Sequence, residues 1–378
     1  MRVALNVGIL QAPRTGIGEY CLQLGQHLRR ERLAELALFD GWQWREDFPQ
    51  AALAGYASWS RLAKSLLPGA YAWRRLIQQR RFNRGAQRAA VQLYHEPSLW
   101  PLQFDGPTVM TLHDLTHVHY PHTQPRDRLR EMERRLPAGL EQAARVLVDS
   151  QFVADEAAHY YGIATSRLQV APLGYARRFH PRGDEVLWQA LRPFEVLPRG
   201  YFLCVGTLEP RKNLQQALSA FFGLPPALRV NFPLLLVGMS GWRGEDWAGA
   251  LRRALDSGQV RMLGYQDDES VARLLAGAKA LLFPSRYEGF GLPVLEAMAS
   301  GTPVIACDTP AVVEVAGEAA LYAPVEDVEG YRQAMFQLLD DPVLWERQRA
   351  LGLQRAQQFS WARCARITAA VYREACSL

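Results

Sequence analysis

The sequence predicts an α/β protein of two domains, each built on a parallel sheet. The first observation is length: 378 residues exceed the size at which a single hydrophobic core stops growing. The second is rhythm. Short aliphatic and β-branched runs alternate with helical patterns along the whole chain, as parallel strands joined by crossover helices require. The third is a break near LGYARRFHPRG, residues 173–183, where the strand pattern gives way to Gly, Pro and Arg.

Taken in order, the strand candidates of the first half are RVALNVG, LALF, QLYHE, TVMTLHD, ARVLVDS and LQVAPLG. Those of the second half are YFLCVG, PLLLVG, VRMLGY, ALLFPS, PVIACD and AALYAP. Helices such as GIGEYCLQLGQHLRR, NLQQALSAFF and ESVARLLAGAKA lie between them. Two such sheets are expected to face one another across a cleft, with ligands at the carboxyl edges of the strands, where open α/β sheets bind them.

Composition narrows the class. With 49% apolar residues and no low-complexity segment, disorder is excluded. No apolar run approaches the ~20 residues that span a bilayer. Met1-Arg-Val-Ala-Leu-Asn reads as a first strand rather than a signal peptide. The five cysteines are scattered and form no C-x-x-C pair, so neither a zinc site nor a disulfide framework is indicated. The expectation is a soluble, reduced, cytoplasmic protein.

Charge is uneven. Residues 1–178 carry 23 basic and 16 acidic side chains, net +7, and residues 179–378 carry 20 and 22, net −2. Between Phe48 and His95 there is no acidic residue. There, residues 61–90 mix eight Arg or Lys with Trp73, Leu76, Ile77 and Phe82. Such a stretch suits the anionic face of a membrane, at ~1 kcal/mol per basic residue near the headgroups. It is also compatible with an ordinary solvated helix in an arginine-rich chain, which has only three lysines. Nucleic acid is not an expected partner, because the motifs of that class are absent.

Two motifs carry chemistry. Gly206-Thr-Leu-Glu-Pro-Arg-Lys-Asn213 follows the strand YFLCV directly. Arg211 offers a planar fork for phosphate oxygens and Lys212 a point charge, while the helix start behind them adds amides and a favourable dipole. The pair suits a diphosphate. As mere surface cations at a helix start they would oppose the dipole. Neither a Walker pattern nor G-x-G-x-x-G is present.

The second motif, SRYEGFGLPVLEAMASG (285–301), sets Glu288 and Glu296 eight residues apart around Gly-Phe-Gly-Leu-Pro. Pro293 suits the first helical position, Glu296 the first turn, and Gly301 the stop. Eight helical residues advance ~12 Å, whereas a retaining glycosidase sets its carboxyls ~5 Å apart. Unless the loop doubles back, the two glutamates grip different parts of one long ligand. Gly289 and Gly291 let the backbone come close and turn its N–H groups inward. Taken singly, Glu296 would also serve as a dipole-stabilising acid and Glu288 as a loop acid.

The E-x7-E pattern around G-F-G-L-P, with G-T-L-E-P-R-K-N upstream, closely resembles glycosyltransferase family 4. These are retaining nucleotide-sugar transferases of the GT-B fold, two Rossmann-like domains facing across a cleft. Within the family the forms GTLEPRKN and HDLT are most similar to bacterial O-antigen mannosyl- and rhamnosyltransferases. The resemblance extends to Gly16-Ile-Gly18, TLHDL with His113, DSQFVADEAAHYYG, APLGY, DTPAVVEVAG and FSWARCARITAAVY. It implies an acceptor domain over 1–178, a donor domain over 179–355 and a helix over 356–378 that returns to the first domain.

The resemblance also implies roles. Arg211 and Lys212 would bind the donor diphosphate and Glu296 the ribose hydroxyls. Glu288 and the amides of Phe290 and Gly291 would hold the transferred sugar, with His113 touching its hydroxyls near the reacting carbon. Leu263, Gly264 and Tyr265 would meet the base through the backbone. Gly16 and Gly18 would let the first loop approach phosphates and acceptor, and Gly206, Gly289 and Leu292 complete the expected donor set.

The expected donor is GDP-mannose or GDP-rhamnose, with UDP-sugars open, and the acceptor a glycan or lipid-linked glycan. No cofactor and no metal are expected. No D-x-D occurs in the sequence, which fits a site where cations and amides stand in for Mg²⁺. In the family's same-face route the leaving phosphate helps take the acceptor proton, so no protein nucleophile is needed. His113, His117, His119 and His122 invite a metal reading, but only His113 follows a strand pattern in the motif's place. Two rival classes remain at this point: an epimerase or a pyridoxal-type phosphorylase, for which Lys279 is the spare lysine, and a non-catalytic sugar-nucleotide binder. Fold alone does not separate them.

Overall fold

The computed structural model describes residues 1–11, 15–49, 70–98, 101–123, 126–239 and 245–378. It divides into two compact units, one of Met1–Leu115, Pro125–Leu173 and Trp361–Leu378, the other of Thr116–Gln124 and Gly174–Ser360. The units therefore change over at 173/174 and 360/361 rather than at the expected 178/179 and 355/356. The reason is local. Arg178 and Arg182 reach Asp268 (3.4 Å) and Glu269 (2.8 Å) at the start of the helix Asp268–Gly277, which ties residues 174–183 to the second unit. At the other junction Phe359 packs edge-on against Phe290, 5.9 Å between centroids.

The first unit holds a seven-stranded sheet, ordered β3-β2-β1-β4-β5-β6-β7. Its strands are β1 Arg2–Asn6, β2 Glu35–Phe39, β3 Trp44–Arg45, β4 Leu93–Glu96, β5 Thr108–Leu112, β6 Arg145–Val148 and β7 Leu168–Val170. All pairs are parallel except β2 with β3. The six expected runs are strands. The short antiparallel β3 was not expected, because two residues are too few to show a period of two. The helix Gly16–Arg30 buries Tyr20, Cys21, Leu24 and Leu28, a stripe at helical spacing. The helix Trp361–Ser377 packs beside it and buries Trp361, Cys364, Thr368 and Tyr372.

The second unit holds six parallel strands, ordered β10-β9-β8-β11-β12-β13. These are β8 Phe202–Val205, β9 Leu234–Val237, β10 Val260–Gly264, β11 Ala280–Phe283, β12 Val304–Cys307 and β13 Ala320–Ala323. Every residue of LLLV, ALLF and VIAC is buried, as a parallel sheet with both faces covered demands. The chain runs outward from β8 to β10, then returns to lay β11 on the other side of β8. The strand order reverses between β8 and β11, and a doubly wound sheet binds its ligand at that reversal.

Candidate functional site

In the second unit both chemistry-bearing motifs leave the sheet at this reversal. Gly206 follows β8, Pro284 follows β11, and the two strands are hydrogen-bonded neighbours. After Gly206 the chain makes a single 3-10 turn, Pro210–Lys212. Asn213 then takes a left-handed conformation, φ +52°, and starts the helix Leu214–Phe222. The turn delivers Arg211 and Lys212 side by side, and the Arg286 amide donates to the Arg211 carbonyl at 2.8 Å, pinning it to the loop after β11. The strand ends crowd here. Gly238, φ +145°, has its Cα so close to the Gly206 carbonyl that a Cβ would sit 1.9 Å from that oxygen, so only glycine fits. A small cavity beside them is lined by Gly206, Thr207, Lys212, Phe283 and Ser285.

Four charged side chains converge at this edge. Arg211 donates from Nη1 to Glu288 Oε2 (2.9 Å) and to the Tyr287 carbonyl (3.0 Å), and from Nη2 to Glu209 Oε1 (2.7 Å). Lys212 Nζ donates to Glu288 Oε1 at 2.5 Å and lies 5.4 Å from the centre of the Phe283 ring. None of the four side chains is more than 18% exposed. Burial alone would raise the Glu288 carboxyl; the charges of Arg211 and Lys212 outweigh it and hold the group down at about 2. Burial is the largest influence on Lys212 and lowers it, against the pull of Glu288. Formally the cluster is neutral, two cations against two carboxylates. Glu209, quoted in the motif without a role, is the partner that the sequence reading missed.

The rest of the E-x7-E segment folds as a loop and a short helix. Gly291, φ +99°, caps the helix Leu292–Ala299. Glu296 is the fifth residue of that helix and half-buried, not in the first turn as expected, because the helix begins at Leu292 with Pro293 second. Phe290 is buried and its ring belongs to the core. Of the turn expected to meet a base, Tyr265 is half exposed. The Leu263 carbonyl accepts from the Gln266 side chain at 2.7 Å and the Gly264 carbonyl from the Gly238 amide at 2.9 Å. Both carbonyls are thus engaged.

The remaining expected residues lie in the first unit. Gly16 and Gly18 are not in a loop. They form the first turn of the helix Gly16–Arg30, where the Gly18 amide donates to the Thr15 hydroxyl at 3.4 Å, because threonine at the N-cap satisfies the orphan donor there. His113 follows β5 and is buried between two acceptors: Nδ1 donates to Asp149 Oδ2 at 2.7 Å and Nε2 to the Pro97 carbonyl at 3.0 Å. An acceptor on each nitrogen favours the doubly protonated ring. Burial opposes this, but the charge and hydrogen bond of Asp149 prevail and raise its pKa. Tyr20 meets His113 edge-on at 4.7 Å.

Behind this pair runs a buried chain that the sequence did not signal. The Tyr20 hydroxyl and His95 Nε2 both meet Thr111 Oγ1, at 2.9 and 2.8 Å, and His95 Nδ1 meets the Tyr372 hydroxyl at 2.6 Å. His119 meets Tyr287 within the second unit, 4.8 Å between ring centroids with the planes tilted by 43°. Among the described residues no three His, Cys, Asp or Glu side chains converge as a metal set. Lys279 lies over the Trp345 ring, 5.5 Å from its centre.

Comparison with known proteins places this geometry in a family. Residues 14–179 match the family described as Glycosyltransferase Family 4, and residues 193–357 that described as glycosyl transferases group 1. The chain is 32% identical to the O-antigen chain mannosyltransferase B of Escherichia coli over 99% of this chain and 100% of that one. It is 30% identical to the serotype-specific mannosyltransferase WbdA of Escherichia coli over 61% of this chain and 29% of that one. Among solved structures, sucrose-phosphate synthase from Thermosynechococcus elongatus shares the fold, with TM-score 0.75 and 22% identity over 99% of this chain and 98% of that one. With GT-B architecture, both halves matched and a full-length relative above 30% identity, the chain belongs to glycosyltransferase family 4 and is a hexosyltransferase.

Proposed function

We propose that this glycosyltransferase moves a mannose-type hexose from a GDP-linked donor onto a glycan or lipid-linked glycan during bacterial O-antigen synthesis, with retention at the anomeric carbon. The observation that carries the substrate class is the end-to-end similarity to a protein named as an O-antigen chain mannosyltransferase. UDP-linked donors are the alternative.

Under this reading Arg211 and Lys212 hold the donor diphosphate and Glu296 the ribose. Glu288 and the amides of Phe290 and Gly291 hold the hexose, and the backbone of Leu263, Gly264 and Tyr265 meets the base. Gly206, Gly289 and Leu292 shape the surrounding backbone. Breaking the sugar–phosphate bond leaves the electron pair on the phosphate oxygen and positive charge on the sugar. Fixed cations beside that oxygen stabilise the transition state more than the substrate, which is what acceleration requires. The acceptor oxygen bonds the anomeric carbon on the face the phosphate leaves, and its proton passes to the departing phosphate. Arg211 and Lys212 supply the positive charge without a resident metal. His113 is assigned to the sugar hydroxyls near the reacting carbon, its ring held by Asp149.

The test is a melting panel with GDP, UDP and ADP, then their sugar conjugates. A ligand at 100 times its Kd adds ~2.7 kcal/mol. Selective stabilisation by GDP and GDP-mannose is the expected result. Selective stabilisation by UDP compounds replaces the donor and keeps the transferase, and no response to any nucleotide by folded protein overturns the donor-site reading.

We also propose peripheral docking on an anionic membrane through the basic stretch 61–90. Residues 61–69 lie outside the described residues. In the helix Ala70–Arg88, Phe82 and Ala86 are buried while Leu76, Ile77, Arg80, Arg84 and Arg88 are exposed. At 100° per residue these five share one arc of ~120°, opposite the buried pair. No described helix is long and apolar enough to cross a membrane.

A further inference from the structure

We propose that Glu288 is an internal competitor for the diphosphate subsite, so that the protein favours a sugar-bearing nucleotide over the bare diphosphate left after transfer. The proposal rests on the donor-site reading above and adds to it a second task for a residue already placed on the hexose.

The geometry is that of a carboxylate occupying an anion site. Each Glu288 oxygen takes one cation, Arg211 Nη1 at 2.9 Å and Lys212 Nζ at 2.5 Å, as two phosphate oxygens would. The remaining fork of Arg211 is held by Glu209 at 2.7 Å. Tyr287, next in the chain to Glu288, fixes the same Nη1 through its carbonyl at 3.0 Å, so Arg211 is held in place whichever anion it faces. The four charges sum to zero, and an arriving diphosphate therefore meets no net positive site until a carboxylate moves aside.

What the displaced carboxylate meets next decides the balance. A nucleotide sugar brings hydroxyl donors beside the loop Gly289–Gly291, and Glu288 exchanges two charged hydrogen bonds for hydroxyl ones while the diphosphate takes the cations. A bare nucleoside diphosphate brings no such donors. Its binding leaves a nearly dry carboxylate without its two cations, which is costly. Glu288 then returns to Arg211 and Lys212 as the product leaves. In Glu288→Gln the amide is nearly isosteric but neutral, and the competition is removed.

Calorimetric titration of the full chain with GDP, UDP and inorganic pyrophosphate tests this. Glu288→Gln is expected to bind the diphosphate about tenfold more tightly than wild type, the loss of one charged competitor. Its affinity for the matching nucleotide sugar is expected to gain less. Glu288→Asp keeps the charge but withdraws it by one methylene; it is expected to show an intermediate gain and serves if the glutamine variant does not fold. Equal or weaker diphosphate binding by folded variants, with clear binding by wild type, overturns the competition and leaves the donor site standing. Failure of wild type and variants alike to bind any of the three probes overturns the donor-site reading, and the competition with it.

Discussion

The carboxyl edges of the two sheets use the same chemistry in different settings. At the edge of the second, Arg211 and Lys212 share Glu288 beside a cavity, and Glu209 takes the other side of Arg211. At the edge of the first, His113 and Asp149 pair in a buried setting, with Tyr20 against the ring and Pro97 on the second nitrogen. Nearby, Glu96 is wholly buried yet accepts from Asn6 Nδ2 (2.7 Å), the Tyr94 hydroxyl (2.5 Å) and the Ser98 amide (3.0 Å). The contrast teaches that similar ion pairs serve different ends. Under the proposed reading the pair bordering a cavity exchanges its anion, while the His113–Asp149 pair sets geometry and protonation.

The sharpest way to break this contrast is to remove a cation from the exchangeable edge. Lys212→Ala is expected to lower kcat/KM by about 10²–10³, the cost of one donor aimed at developing charge. Glu288 keeps Arg211, so the fold is expected to survive; an intact fold with unchanged turnover would assign the second edge to structure instead.

The closed edge responds differently. Asp149→Asn is expected to destabilise the protein by ~2–3 kcal/mol at pH 6, as loss of one partner of a buried pair does. The sign with pH follows from His113. Its pKa in the fold is raised above the ordinary 6.5, so the stabilisation is complete below that value and fades as pH rises through the folded pKa. The gap between wild type and variant in urea unfolding should therefore be widest near pH 6 and narrow toward pH 9. An equal gap at both would mean that the ring is neutral and the pair an ordinary hydrogen bond.

The smallest expected effect concerns a surface outside both edges. Arg80→Gln with Arg84→Gln should weaken partition to vesicles containing anionic lipid by ~1–2 kcal/mol at low salt, with no change on neutral vesicles. Undiminished binding would make the helix Ala70–Arg88 a solvated surface like any other.

Much of this architecture is legible in the chain because parallel strands are short, apolar on both faces and separated by helices; ELALF and LLLV announce themselves. The motif residues are legible for another reason. Glycines, a proline and paired charges at strand ends are chemically expensive unless something uses them. What stays hidden is pairing. Nothing in GTLEPRKN says that Glu209 turns back onto Arg211, and nothing in VLVDS says that Asp149 lies under His113, 36 residues away. The glycines at 16 and 18 misled because glycine marks a loop and a helix start alike, and the threonine before them decided for the helix.

By itself, then, the sequence determined the strand and helix periods, the doubly wound class and the residue types able to meet a nucleotide sugar, since these follow from local spacing and side-chain chemistry. Only the tertiary structure decided that the loops after β8 and β11 leave from adjacent strands, that Glu288 meets both cations there, and that His113 is held between two acceptors. Strand order and burial are set by contacts far apart in the chain, and so are the charged partners that outweigh burial at Glu288 and at His113.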